Sequence, residues 1–181
     1  MTRRGYTITT ATAVSLLGIL SVVSFAPKLI WNASASAPIG LYAIEPERSP
    51  EVTDLVAVRA PEPLAGFLAD GGYLPRGVPL LKRVAALPGQ RVCRTGLAIT
   101  VDGVPMGEAL ERDRRGNSLP IWQGCRVVVE GELFLMNWQV RDSLDGRYFG
   151  PLPASAVIGR AIPLYTDEDG DGRFVWRAPT R

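Results

Sequence analysis

Residues 32–42 read Asn32-Ala33-Ser34-Ala35-Ser36-Ala37-Pro38-Ile39-Gly40-Leu41-Tyr42. They separate a long uncharged run from a region of short apolar segments punctuated by turn residues. Two serines stand two apart, Ser34 and Ser36. Pro38 and Gly40 then bend the chain and release it in an extended conformation. Small residues, hydroxyls and a forced bend suit an exposed nucleophile better than a core element. Ser36 is the candidate nucleophile, and the rest of the chain must supply its base.

Upstream, Thr7 to Ala26 carry no charge, and Ile8 to Ala26 are mostly apolar. As a helix rising about 1.5 Å per residue, that run spans roughly 28 Å, close to one hydrocarbon core. It predicts a single transmembrane anchor. Arg3 and Arg4 before it predict a cytoplasmic N-terminus, and Trp31 falls where an interfacial aromatic would. A cleavable signal peptide is the rival reading, because Ala33 to Ala37 contain two Ala-x-Ala sites. The apolar run is longer than the usual signal-peptide core of about 7–15 residues, and Pro38 would directly follow the second site.

Downstream, apolar runs of strand length alternate with turn signals. Strands are predicted at Leu55–Val58, Leu80–Leu87, Ala98–Val101, the segment from Val104, Arg126–Val129, Glu132–Asn137, Arg160–Tyr165 and Phe174–Trp176. Asp102-Gly103 marks a hairpin, and Glu62–Ala69 one or two helical turns. The expected fold is mainly β: an antiparallel domain over 32–181, carried by residues 1–31 as cytoplasmic tip and anchor.

Composition removes whole classes of chemistry. There is no histidine, so Ser-His-Asp and Cys-His catalysis and His-ligated zinc are excluded. A serine nucleophile must then use a lysine, a carboxylate or a terminal amine. Arg3, Arg4 and Lys28 flank the apolar run, which leaves 17 basic and 18 acidic residues elsewhere. That balance gives no electrostatic footprint for nucleic acid. The two cysteines, Cys93 and Cys125, form no CxxC pair; two buried thiols are one reading, and a disulfide in an exported domain is the favoured one.

Lys82 lies inside LLKRVAAL, beside Arg83. On a strand these two point to opposite faces, so one can face solvent while the other faces the core. A lysine on the buried face loses solvation, which lowers its pKa toward that of a usable base; a snorkelling surface lysine is the bland alternative. The third notable stretch is MNWQVRDSLDGRYFGPLP, Met136 to Pro153. Ser143 and Asp145 could serve one site from one loop there, or form a solvated turn at Asp-Gly.

Taken in order, the basic-flanked anchor, SAPIGLY, LKRVAALPGQRV and DSLDGRYFGPLPASAVIGRA resemble the type I signal peptidase (leader peptidase) superfamily, and in it the TraF-like branch of conjugative transfer peptidases. The resemblance implies a signal-peptidase-like antiparallel β-sheet catalytic domain behind one N-terminal transmembrane helix. It implies Ser36 as nucleophile and Lys82 as general base. Ser34 matches an oxyanion-assisting serine, Ser143 a lysine-orienting serine, and Asp145 pairs with Arg147. It further implies a bacterial inner-membrane enzyme, single-pass, with a periplasmic catalytic domain acting on an exported precursor that carries small residues at the cleaved bond. In the TraF-like branch that precursor is pilin, sometimes joined into a circle. The implied partners are that precursor and the lipid bilayer, with no nucleic acid, and no cofactor or metal enters the chemistry.

The chain departs from general signal peptidases in three places. Pro38 is two residues after Ser36 rather than three, the usual Gly-Asp-Asn-Arg opening of the last motif is missing, and Gly146 stands where serine is common. General preprotein processing and a non-catalytic exported β domain of a transfer or secretion assembly are the alternative functions. An extended substrate is expected to add as a strand beside the one that carries Lys82. Asp167-x-Asp169-x-Asp171-Gly172 matches half an EF-hand loop. Its twelfth position is Ala178, not glutamate, so an acidic turn is expected instead of a calcium site.

Overall fold

The computed structural model describes residues 3–22, 28–46 and 49–179, without the side chains of 16–22. The N-terminal run forms helix α1 (Arg3–Val22). Among the described residues no helix is long and apolar enough to cross a membrane. The last residues of the predicted span, 23–26, lie outside the described residues.

Two antiparallel sheets follow. Strands β1 (Leu29–Asn32), β2 (Ile39–Glu45), β3 (Leu55–Val58) and β4 (Leu80–Ala86) open the larger one. The smaller sheet is the run β5 (Arg91–Thr95), β6 (Ala98–Val101), β7 (Val104–Glu108) and β8 (Gly124–Val127). The chain then returns through β9 (Glu132–Leu135), β10 (Leu152–Pro153), β11 (Val157–Asp167) and β12 (Val175–Trp176). The large sheet runs β1-β2-β11-β3-β4-β9-β10, with β12 on β11, and the small one runs β7-β6-β5-β8. Helices α2 (Leu64–Asp70) and α3 (Gly146–Phe149) are short. The architecture is mainly β and antiparallel, as expected.

Residue chemistry explains the packing. Along β2, Gly40, Tyr42 and Ile44 turn inward in strict alternation. Gly40 has φ +148°, and a Cβ there would lie 2.2 Å from the Tyr165 carbonyl oxygen of β11. Only glycine allows that approach. Val56, Val58, Val84, Leu133 and Leu135 form one core across β3, β4 and β9. Val92, Ile99, Val101, Trp122, Phe134 and Met136 join the small sheet to the large one. The predicted Asp102-Gly103 turn forms, with both residues at positive φ. Cys93 and Cys125 face each other across β5 and β8 and are disulfide-bonded.

Several expectations need correction. The strand expected at Arg126–Val129 lies two residues earlier, because Val128 turns into the core as its N–H bonds to Gln90. β9 stops at Leu135 instead of Asn137. β1, β5 and β10 are not among the expected strands, and neither is β2, where the sequence predicts only an extended exit after Gly40. Trp31 belongs to β1 and stacks on Phe174, with ring centroids 6.0 Å apart. β4 is hydrogen-bonded to β3 along Leu80–Arg83, and to β9 on its other side only at Val84 and Ala86.

Candidate active site

The serine loop is shaped by Asn32, the last residue of β1. Its amide donates to the carbonyls of Ser34, Ala37 and Pro38 at 2.8–3.0 Å. Its side-chain oxygen accepts the Ser34 N–H at 3.0 Å, and Tyr42 donates its hydroxyl to the Pro38 carbonyl. One side chain therefore closes residues 34–38 into a fixed loop between β1 and β2. Ala37 is buried in the core, so these Ala-x-Ala residues belong to the folded domain. The Ser34 and Ser36 hydroxyls lie 3.0 Å apart, and the Ser36 N–H donates to Ser34 Oγ at 3.3 Å.

Lys82 is 4% exposed. It shares its face of β4 with Val84 and faces Val56 across the ladder, both fully buried. Its ammonium donates to Ser143 Oγ at 2.8 Å. Burial among apolar neighbours lowers its pKa from 10.5 to about 8; nearby Asp145 opposes the shift, and Arg147 adds to it. Arg83, on the opposite face, is buried as well, so neither residue is the solvated member of the pair. Arg83 donates to the Thr53 carbonyl and lines the cleft described below.

The loop after β9 is folded around Arg147 and is not a solvated turn. Ser143, Asp145 and Arg147 are 3%, 3% and 1% exposed. The Arg147 guanidinium makes an ion pair with Asp145 at 2.8 Å. It also donates to the carbonyls of Asn137, Val140, Arg141 and Ser143. The Asp145 carboxylate caps α3 through the Arg147 N–H and accepts the Asn137 N–H at 3.0 Å. A buried pair survives only with its remaining hydrogen-bonding capacity filled, and here backbone groups fill it. Gly146 has a steric reason: a Cβ there would lie 2.6 Å from the Phe134 ring and 2.7 Å from the Leu135 carbonyl oxygen. The serine common at this position in general signal peptidases has no room.

Ser36 opens onto a cleft of about 400 Å³, lined also by Pro38, Leu55, Arg83, Asn137 and Glu168. Lys82 is not among the lining residues. The predicted residues therefore gather in two groups, Ser34 with Ser36 and Lys82 with Ser143, Asp145 and Arg147. No hydrogen bond joins Ser36 to Lys82; catalytic contacts in an unliganded site commonly tighten only in the substrate complex. What joins the groups is Asn137, which was not singled out from the sequence. Its carboxamide contacts the Ser36 carbonyl and the backbone on both sides of Lys82. The available signal was a polar residue closing the apolar run Leu133-Phe134-Leu135-Met136, where asparagine is disfavoured in a strand. The tail motif folds as a turn in which Asp167 accepts the N–H groups of Asp171 and Gly172.

The described residues form an antiparallel β domain with a serine loop between β1 and β2 and a lysine buried on β4. A family model described as signal peptidase, peptidase S26, matches residues 1–165. The chain belongs to this family, and with it to the serine-type peptidases at family level. A conjugal transfer protein TraF of Agrobacterium fabrum (strain C58 / ATCC 33970) is 35% identical over 172 residues, covering 90% of this chain and 91% of its own length. A plasmid transfer protein TraF of Escherichia coli is 30% identical over 147 residues, covering 75% and 81%. Within the family the chain falls in the TraF-like branch. Among solved structures, a signal peptidase I from Enterococcus faecalis V583 matches at 22% identity and TM-score 0.38, over 62% of this chain and 97% of that one.

Proposed function

We propose that the chain is a membrane-anchored serine endopeptidase that uses Ser36 and Lys82 as a dyad on an exported precursor. The observation that carries this reading is a buried lysine held by a serine hydroxyl rather than a carboxylate, with its pKa lowered to about 8. Such an amine is partly neutral near physiological pH and can act as a base. Lys82 takes the Ser36 hydroxyl proton while Oγ bonds to the substrate carbonyl carbon. The Ser36 N–H and the Ser34 hydroxyl receive the oxyanion. The intermediate then breaks its C–N bond, and charged Lys82 protonates the leaving amine. Water, deprotonated by Lys82, cleaves the acyl-enzyme and frees Ser36. An amine attacking the same acyl group forms a new peptide bond instead.

The relatives' names, conjugal and plasmid transfer proteins, support a role in conjugation. The precursor is then a pilin, cleaved and, through the aminolysis route, closed into a ring. Residues 1–31 serve as cytoplasmic tip and anchor, and residues 32–181 as the periplasmic domain in the bacterial inner membrane. The uncharged run from Thr7 to Ala26 supports that topology. The test is co-expression with the pilin-like protein encoded nearby, followed by its intact mass. The wild-type chain is expected to give a shortened product, with a further loss of one water if the ring closes. An unprocessed precursor with wild-type enzyme, or equal processing by Ser36→Ala, overturns the reading.

A further inference from the structure

Strand β9 leaves β4 after Leu135, and the last backbone contact there is the Met136 N–H to the Arg83 carbonyl. Further along β4, the Leu81 carbonyl and the Arg83 N–H would lose their ladder partners beside Lys82. The Asn137 side chain takes both positions. Its Oδ1 accepts the Arg83 N–H at 3.0 Å, and its amide donates to the Leu81 carbonyl at 3.1 Å. A carboxamide presents one acceptor and one donor as a peptide group does, so it extends the ladder by one residue. Unlike a peptide group it has a second N–H. That N–H is free to leave the sheet, and the amide also reaches the Ser36 carbonyl, 101 residues away in sequence.

We propose that Asn137 is a positioning residue of this site, a side chain that fixes the serine loop against the lysine strand and so sets the distance from Ser36 to Lys82. The inference rests on the dyad reading above. Asn137 is itself held on both backbone sides: its N–H donates to Asp145 and its carbonyl accepts from Arg147. It is 4% exposed, so water does not compete for these bonds. The Asp145–Arg147 pair thus reaches both reacting groups, Lys82 through Ser143 and Ser36 through Asn137. Asn32 shapes the serine loop from within, and Asn137 orients that loop toward the base. Aspartate has the same shape and still accepts the Arg83 N–H, but it has no N–H for Ser36 or Leu81.

The experiment uses the full chain in detergent with an internally quenched peptide carrying Ala-x-Ala at the scissile bond. Asn137→Asp and Asn137→Ala are expected to lower kcat about 100-fold, the size of effect known for an ångström-scale misplacement, with KM within about twofold. A purely structural role would lower the thermal midpoint and the folded fraction but leave kcat per folded molecule unchanged. Ser36→Ala separates the two claims. If Ser36→Ala is inactive while the Asn137 variants keep kcat within about threefold of wild type, the positioning role is overturned and the dyad stands. If Ser36→Ala cleaves like wild type, the dyad reading itself fails. Should the variants not fold, hydrogen exchange of the Asn137 carboxamide in the wild-type chain decides. Protection well above that of surface asparagines is expected, and exchange at the exposed rate overturns the proposal.

Discussion

The Lys82 ammonium donates to Ser143 Oγ at 2.8 Å inside a pocket that holds no carboxylate bonded to the lysine. Burial thus acts on the amine with little relief, because Asp145, the nearby acid, is already paired to Arg147. The Ser143 hydroxyl points the amine without charging it. Ser143→Ala is expected to leave the fold intact and cut kcat by about 10- to 100-fold, in the range of a misplaced general base. It removes an acceptor that favours the ammonium form, so the pH midpoint of activity should move down. An upward shift, or unchanged kcat, would show that the hydroxyl does not orient the base.

The lowered Lys82 pKa sets two pH dependences. Activity requires the neutral amine and should rise with pH through about 8. The unfolded lysine has its ordinary pKa of 10.5. Between these values the unfolded chain binds more protons than the folded one, so stability contributed by this group also rises with pH. Lys82→Arg should be inactive at every pH, because guanidinium stays protonated. A kcat/KM profile flat from pH 6 to about 9 would remove Lys82 as the base.

The Asp145–Arg147 pair is structural before it is catalytic. Removing one member leaves the other charged and buried, which typically costs about 3–5 kcal/mol. Asp145→Asn and Arg147→Met should each lower the urea midpoint severely, whereas Arg114→Met should change it little. Arg114 pairs with Asp142 at the surface, its side chain 85% exposed, and such pairs contribute roughly 0–1 kcal/mol. Equal effects from the two pairs would mean that the loop is not built around Arg147.

The parts of this site that were legible in the sequence are those whose cause is local. Lys82 stood out because apolar neighbours flank it on both sides, and Asp102-Gly103 because a two-residue hairpin needs positive φ. The Asp145–Arg147 contact spans two residues, and it came with the family resemblance. β1 was hidden because Leu29–Trp31 lie within residues 1–31, assigned to the cytoplasmic tip and anchor, and four residues make too short a run to stand out as a strand. β5 was hidden because RVCRT carries two arginines, one of which, Arg94, is buried against the Arg147 carbonyl. Asn137 could not be read from spacing at all. Its importance comes from meeting Ser36 and β4 in space, and nothing within a few residues of it announces either contact.

The disulfide closes a loop of 31 residues between directly paired positions of β5 and β8. Chain-entropy arguments give a link of that length roughly 3–4 kcal/mol. Cys93→Ala with Cys125→Ala should lower the unfolding free energy by an amount of that order, read from denaturant titration. Activity at low temperature should change little, because no residue of β5–β8 lines the cleft at Ser36. Alkylation of the unreduced, denatured wild-type chain should label neither cysteine. Two labels per chain would show that the bond does not form.

The last prediction concerns the tether between the predicted span and Ser36. Ser36 follows Ala26 by ten residues, at most about 35 Å of extended chain. The fold shortens the free part of this tether. The Lys28 carbonyl already accepts the Ile44 N–H, and Leu29–Asn32 are paired with β2. A flexible insert after Trp31 would break β1 or the Asn32 clamp and report on folding, not on reach. The informative insert therefore goes immediately before Lys28. If Ser36 works at the bilayer, about ten Gly/Ser residues there, spanning roughly 16–19 Å root-mean-square, should lift the site away from a membrane-bound precursor. Processing of that precursor should fall several-fold, while kcat/KM for a short soluble peptide stays at the wild-type value. Equal loss on both substrates would mean that the insert damaged the domain. Unchanged processing of the membrane-bound precursor would mean that the height of Ser36 above the bilayer plays no part in its selection.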